Sequence, residues 1–351
     1  IALMVLDLTE RLEPDQRVDL YRLLAQDEWP TVARTTLPRL ERLAADNDRA
    51  LQALYTLRFM LPPDEAEQVT RTLRKLQFTG RPYTPPEPSG WRSLMSPSDI
   101  GGSYSIWFVK DASEGRADGT LLGMVLNHRL GVLQTFGSEI LPAEQLPSPH
   151  PVGQLVTVRT DHGQSAVLLE VPFEVARWLL AQVHTAHWSA VPPRPLPGEY
   201  RLYGDRLWNF TIPEVEPALA IYFSDDESPL PSVDEIDKAA EELLAHPALV
   251  GWTFNNRLLL HSLGAAGSSL AQLPLHEVAA VMLRELSQRA EYVQLLEALS
   301  AALRAQAVWL HIAGNMESAQ RAYLLARTMA QLPPAQNPLL LRLLEASLRA
   351  N

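Results

Sequence analysis

Cysteine is absent from the 351 residues, which excludes disulfides, thiolate metal sites and cysteine nucleophiles together. Lysine is scarce as well. Of 30 basic residues only Lys75, Lys110 and Lys238 are lysine, a bias that reads as GC-rich coding and carries no function. Long apolar runs are missing too, and without about 18 consecutive apolar residues the sequence offers no membrane span. Positive charge is in deficit: the formal net charge is -11, which disfavours a general nucleic-acid binder, because phosphate contacts need a basic surface. Much of the imbalance sits in residues 214–242, where ten acidic side chains face Lys238 alone. With 46% apolar and 20% charged residues, the rest is the composition of an ordinary globular protein with chain enough for two or three domains. The chain begins at Ile1 in place of an initiator Met, which reads as processing or truncation, and the expected setting is the cytoplasm.

What is present divides by period. Residues 101–171 carry alternating and β-branched segments in place of the helical pattern on either side. In 103–109, Tyr104, Ile106 and Phe108 alternate with serines and Trp107, as a strand requires. The segments 120–126 and 132–136 flank a polar turn at 127–131 and read as a hairpin. A second hairpin joins 155–160 to 165–171 around Asp161-His162-Gly163, where Asp and Gly suit a tight reversal. Pro172 then opens a helix to about His187, with Phe173, Ala176, Leu180 and Val183 spaced to lie on the sheet.

Residues 1–80 show four amphipathic helical segments, with Asp46-Asn47-Asp48 offering capping oxygens, Pro62-Pro63-Asp64-Glu65 forming a first turn, and Pro38 expected to kink the second helix. The stretch 81–90 (RPYTPPEPSG) is an extended proline-rich connector, and 191–198 (VPPRPLPG) is another whose Pro192 and Pro195 form a PxxP pair best read as plain polyproline. Residues 200–223 fit irregular structure or short strands along the sheet. Ser232 and Glu235 have capping-box spacing ahead of a helix to about Ala245. A further helix is expected over 248–263, then a Gly-Ser loop at 264–269. Residues 275–313 form one long helix or two joined near Ser287, and Gly314-Asn315 stops that run and caps the next.

Short paired helices with a prolyl kink in the first member resemble HEAT-type repeats. Gly314, Ala319, Tyr323 and Ala326 give 307–326 a resemblance to the latter part of a tetratricopeptide hairpin, with Gln306 and Ala307 standing where that family carries Leu and Gly. Leu196-Pro197-Gly198-Glu199-Tyr200, His246-Pro247 through Trp252, and a closing helix from Asn337-Pro338 look more broadly like uncharacterised bacterial HEAT-repeat-associated proteins. That resemblance transfers no activity.

The expected fold is therefore α+β. A small central antiparallel sheet with a covering helix is flanked by N-terminal and C-terminal α-helical, HEAT- or TPR-like segments. The divisions are a helical arm at 1–80, a proline-rich linker at 81–100, a sheet domain at 101–230 and a C-terminal helical domain at 231–351.

Chemistry-bearing patterns are few. His276-Glu277 begins a zincin motif, but Ala280 stands where the second histidine is needed. His184 and His187 share a helix face without a third ligand nearby and read as a packed or half-exposed histidine pair. Asp225-Asp226-Glu227 lacks the spacing of a calcium loop, and neither Ser268-Ser269 nor Gly101-Gly102 sits in a nucleophile or phosphate motif. No cofactor is called for. The binding candidate is Trp252 with Asn255, Asn256 and Arg257, where aromatic, amide and guanidinium groups crowd together as at interface hot spots. The leading expectation is a non-enzymatic interaction or scaffold protein whose partner is another protein, with nucleic acid and membrane disfavoured and the oligomeric state open. The alternative is an enzyme whose site gathers dispersed residues at the sheet edge, Arg159, Asp161 and His162.

Overall fold

The computed structural model describes residues 6, 8–112, 118–159, 165–190, 194–224, 228–254, 273–289, 291–333 and 336–350. Helices α1 (Pro14–Leu24), α2 (Pro30–Leu43), α3 (Asp48–Met60) and α4 (Pro63–Phe78) form the N-terminal arm. Proline at the first helical position opens α1, α2 and α4, and the Asn47 side chain accepts from Ala50 N to cap α3, as expected where an amide proton is either absent or orphaned. Their shared core is Val18, Leu37, Leu40, Leu51, Leu54, Leu57 and Val69.

Six antiparallel strands follow: β1 (Trp91–Met95), β2 (Ser103–Lys110), β3 (Asp118–Asn127), β4 (Gly131–Pro142), β5 (Leu155–Arg159) and β6 (Ser165–Val171). Their order is β4-β3-β2-β1-β6-β5. The α+β class with an antiparallel sheet between helical segments is what the periodicity predicts. What it misses is β1, the strand that joins β2 to the β5–β6 hairpin: Ser93 pairs with Phe108 of β2 on one side and with Val171 of β6 on the other. Its WRSLM sequence has no β-branched residue and follows four prolines, so neither propensity nor alternation marks it.

One sheet face packs Met95, Tyr104, Ile106, Phe108, Met124 and Leu169 against Phe173, Ala176, Leu180 and Val183 of α5 (Phe173–Ser189). The other face keeps a smaller cluster of Leu94, Val156, Val158 and Leu168, with Trp107 and Ala166 against it. The β3–β4 turn approaches α5 so closely that a Cβ on Gly131, at φ +87°, would lie 2.5 Å from His187 Nδ1. Only glycine fits there.

Residues 198–223 hold no strand. They form α6 (Gly198–Tyr203), α7 (Asp205–Trp208), α8 (Pro217–Ala220) and a 3-10 turn at Ile221–Phe223, their aromatics turned inward by burial. Trp208, fully buried, donates from Nε1 to the Tyr200 hydroxyl at 2.6 Å. The capping box at Ser232 and Glu235 opens α9 (Val233–Leu244). The helix expected over 248–263 is replaced, in its described part, by a 3-10 turn at Pro247–Leu249 and non-helical backbone to Phe254. Its remainder and the loop at 264–269 lie outside the described residues. Of the two readings of 275–313 the second holds: α10 (Leu275–Ser287) and α11 (Glu291–Ile312) are separate. Gly314, at φ +79°, and Asn315, accepting from Ser318 N, then turn the chain into α12 (Met316–Gln331), and α13 (Pro338–Ala350) closes it.

Three side-chain bonds seat α11 and the non-helical segment at Trp252 on the end of β1 and the residues just after it. Trp309 Nε1 donates to Met95 O, Trp252 Nε1 donates to Ser98 O, and Gln306 Oε1 accepts from Ser98 N, each at 3.0 Å. The arm attaches elsewhere. Tyr55 donates its hydroxyl proton to Phe210 O at 2.8 Å, and Phe59 stacks on Trp208 with centroids 5.0 Å apart. Among the described residues no helix is long and apolar enough to cross a membrane.

Candidate interaction cleft

A cavity of about 750 Å³ opens where the arm, the proline-rich linker, the sheet and α7 meet. Helix α1 contributes Asp19 and Arg22, three apart and hence on one face. Asp48, Gln52 and Thr56 of α3, at the i, i+4, i+8 spacing of a single helix side, form a second wall with Arg49 beside them. The linker supplies Tyr83 and Glu87, the sheet Trp91 and Lys110, and α7 with the residues after it Asp205, Arg206 and Asn209.

Charges of both signs line this space. Arg49 and Asp19 pair at 2.6 Å with both side chains about half exposed. Arg81 reaches Asp48 at 2.6 Å, and Arg206 reaches Glu139 at 2.6 Å. Deeper in, Arg22 is fixed by donating to Arg201 O at 2.9 Å and Leu202 O at 3.0 Å, the last carbonyls of α6. Those carbonyls have no partner within their own helix, and a guanidinium satisfies them. Asp205 Oδ1 lies 3.4 Å from Arg22 Nη1 and accepts no hydrogen bond, although the atom is buried. Burial raises the Asp205 carboxyl above the usual range, against the pull of Arg22 and Arg206. Burial also raises the Tyr83 phenol, whose hydroxyl donates to Asn209 Oδ1. Thr56 turns its hydroxyl back to Ala53 O at 3.0 Å. The cleft can therefore offer exchangeable ion pairs and hydrogen bonds to something laid into it.

Sequence patterns single out none of these residues. Arg22 and Asp205 come from opposite ends of the arm-to-sheet path, and only the chain fold brings them together. The proline density of 81–90 marks a connector but not a cleft wall.

The residues that the sequence does single out fall elsewhere. Trp252 is buried, and its indole is committed to Ser98 O, so it packs the interior and is not displayed as a hot spot; Asn255, Asn256 and Arg257 lie outside the described residues. Arg159 is exposed at the end of the edge strand β5, while Asp161 and His162 lie outside the described residues, as does the acidic run at 225–227. His184 and His187 are buried and tied to different backbone carbonyls, His184 Nδ1 to Phe59 O at 2.8 Å and His187 Nε2 to Arg194 O at 3.0 Å. Burial pushes His184 down to about 4 and lowers His187 as well. Among the described residues no group of three or more His, Asp or Glu side chains is placed to hold a metal.

A second buried charge cluster is structural in its contacts. Arg92 of β1 holds Asp111 at 3.1 Å and Glu170 of β6 at 3.5 Å. Burial raises the Glu170 carboxyl, opposed by Arg92.

Compared with protein-family models, with curated proteins and with solved structures, the chain finds no match.

Proposed function

We propose that this chain is a non-enzymatic interaction protein that seats an extended, polar segment of a partner protein in the junction cleft. The observation that carries the reading is the cleft itself, about 750 Å³ between the arm, the linker, the sheet and α7 and lined by both charge signs. Exposed pairs such as Arg49 with Asp19 exchange partners at little cost, because a solvated ion pair contributes only about 0–1 kcal/mol. The linker wall suits an extended guest. Pro82, Pro85, Pro86 and Pro88 have no N–H, the segment 81–88 has no regular structure, and its carbonyls are acceptors. Lys110 stands exposed on the sheet side as a fixed cation.

Affinity capture read by quantitative mass spectrometry tests this. Partners retained by the wild type should persist with Lys75→Glu, on the exposed face of α4, and fall at least tenfold with Gln52→Trp or with Arg49→Glu/Lys110→Glu. An unchanged partner set in the cleft variants contradicts the proposal.

A second reading, an enzyme built from dispersed residues, has one observation in its favour: Asp205, with a raised carboxyl and an unbonded buried oxygen, lines the same cleft. Asp205→Asn separates the two. A binding protein keeps its partners, whereas an enzyme using that acid loses turnover on any substrate found.

A further inference from the structure

A separate cavity of about 500 Å³ lies between the β3–β4 turn, Phe223 and helices α11 and α12. It shares no lining residue with the junction cleft. Its size falls in the roughly 300–1,000 Å³ range of small-molecule sites, which combine apolar walls with a few fixed polar groups. Phe223, Leu296, Ala301, Met329 and Ala330 supply the apolar wall, and His128 supplies the polar group.

The bonding of His128 decides what that group offers. Its ring stacks on Tyr104 with centroids 5.5 Å apart and sits 4.6 Å from the ring of Phe223. Nε2 lies 2.8 Å from the hydroxyl of Tyr104, which is 2% exposed. A phenol is the stronger acid and an imidazole nitrogen the stronger base, so Tyr104 donates and Nε2 accepts. The ring proton then belongs on Nδ1, which makes no hydrogen bond among the described residues. Burial pushes His128 down to about 3, so the ring is neutral and presents an N–H donor without charge.

The other polar groups around the cavity are committed. Arg304 donates to Tyr222 O at 3.1 Å and Ser224 O at 2.9 Å, Ser300 donates to Ala326 O at 3.2 Å, and Glu297 pairs with Arg129 at 3.8 Å. The two charged residues of the lining, Glu297 and Arg304, are of opposite sign, so the rim favours neither an anionic nor a cationic guest. We infer that this cavity binds a neutral, apolar small molecule carrying one carbonyl or hydroxyl oxygen, which accepts a hydrogen bond from His128 Nδ1.

Butyrophenone and butylbenzene are suitable probes, because they share one skeleton and differ by the carbonyl oxygen. Ligand-observed NMR titration of the full chain should show one saturable site, with the ketone bound about fivefold more tightly than the hydrocarbon, as one net hydrogen bond provides. Ala301→Phe and Ala330→Trp should each weaken both probes at least tenfold while thermal melts confirm folding; Ala330 is exposed, so its replacement leaves the interior intact. His128→Phe keeps an aromatic ring and should abolish the preference for the ketone. Absence of saturable binding to the wild type, binding indifferent to both filling substitutions, or a ketone preference that survives His128→Phe would each overturn the inference.

Discussion

Gln306 shows how one side chain can anchor a helix to a sheet. It is fully buried and accepts the Ser98 amide proton at 3.0 Å. A buried N–H without a partner costs about 1–3 kcal/mol. Gln306→Leu orphans the Ser98 amide but also removes Gln306 Nε2, which is buried without a partner, so urea melts should show a net loss smaller than that amount; a loss of the full amount or more would show that the unpartnered nitrogen costs nothing in place. His184 gives the second residue-scale prediction. Its folded value of about 4 lies below the ordinary value of 6.5, so the unfolded chain takes up the proton first. The neutral side chain is no liability above pH 6.5, and stability declines as pH falls from there toward 4, by an amount on the order of 1–2 kcal/mol at pH 5. Urea melts at pH 7.5 and pH 5 should show that loss in the wild type and a smaller one in His184→Gln, whose amide can still donate to Phe59 O. An equal loss in both proteins would assign the acid limb to other groups. Neither role can be read from sequence. A buried histidine and a surface one look alike until the carbonyl that binds it is known, and Phe59 and Ser98 lie 125 and 208 residues away from His184 and Gln306.

Among the elements, α12 follows the sequence pattern most closely. Ala319, Ala322 and Ala326 recur at i, i+3 and i+7 and are at most 1% exposed, while Gln320 is exposed. That narrow face lets α11 lie close. Ala319→Leu should overpack the contact and cost about 1–3 kcal/mol, with Gln320→Leu close to neutral. Equal destabilisation of the two in denaturant melts would place the buried face elsewhere. Strands β2 to β6 and the helix α5 were similarly legible, because alternation and helical spacing are local properties of the chain. Strand β1 was not, since its five residues owe their conformation to neighbours on both sides. The aromatic stretch at 200–223 misled for a related reason: Tyr and Trp are enriched in strands in general, and here burial of Trp208 against Phe59 of α3 and of Tyr200 against His184 of α5, with Tyr222 against His311 and Tyr323 of α11 and α12, holds them in short helical turns. Tertiary packing outweighed propensity there.

For the molecule as a whole, the arm and the sheet are joined by reciprocal capping. Arg22 of α1 satisfies the final carbonyls of α6, and Arg201 of α6 donates to Gln26 O just beyond α1 at 3.2 Å. Arg22→Met removes those donors and the ion-pair partner of Asp205, so amide exchange should accelerate in α1 and α6 while the sheet stays protected; uniform acceleration throughout would mean that the joint has no separate stability. The same joint forms the cleft, and this is why the candidate site was invisible in the sequence while most elements were not. Its walls are assembled only after arm, linker and α7 have docked. The most direct measurement is hydrogen-exchange mass spectrometry of the protein alone and in complex with a captured partner. Protection is predicted in peptides covering 15–24, 48–58 and 82–90, around Arg22, Gln52 and Tyr83. Protection confined to other surfaces, with those peptides unchanged, would contradict the assignment of the junction cleft as the binding site.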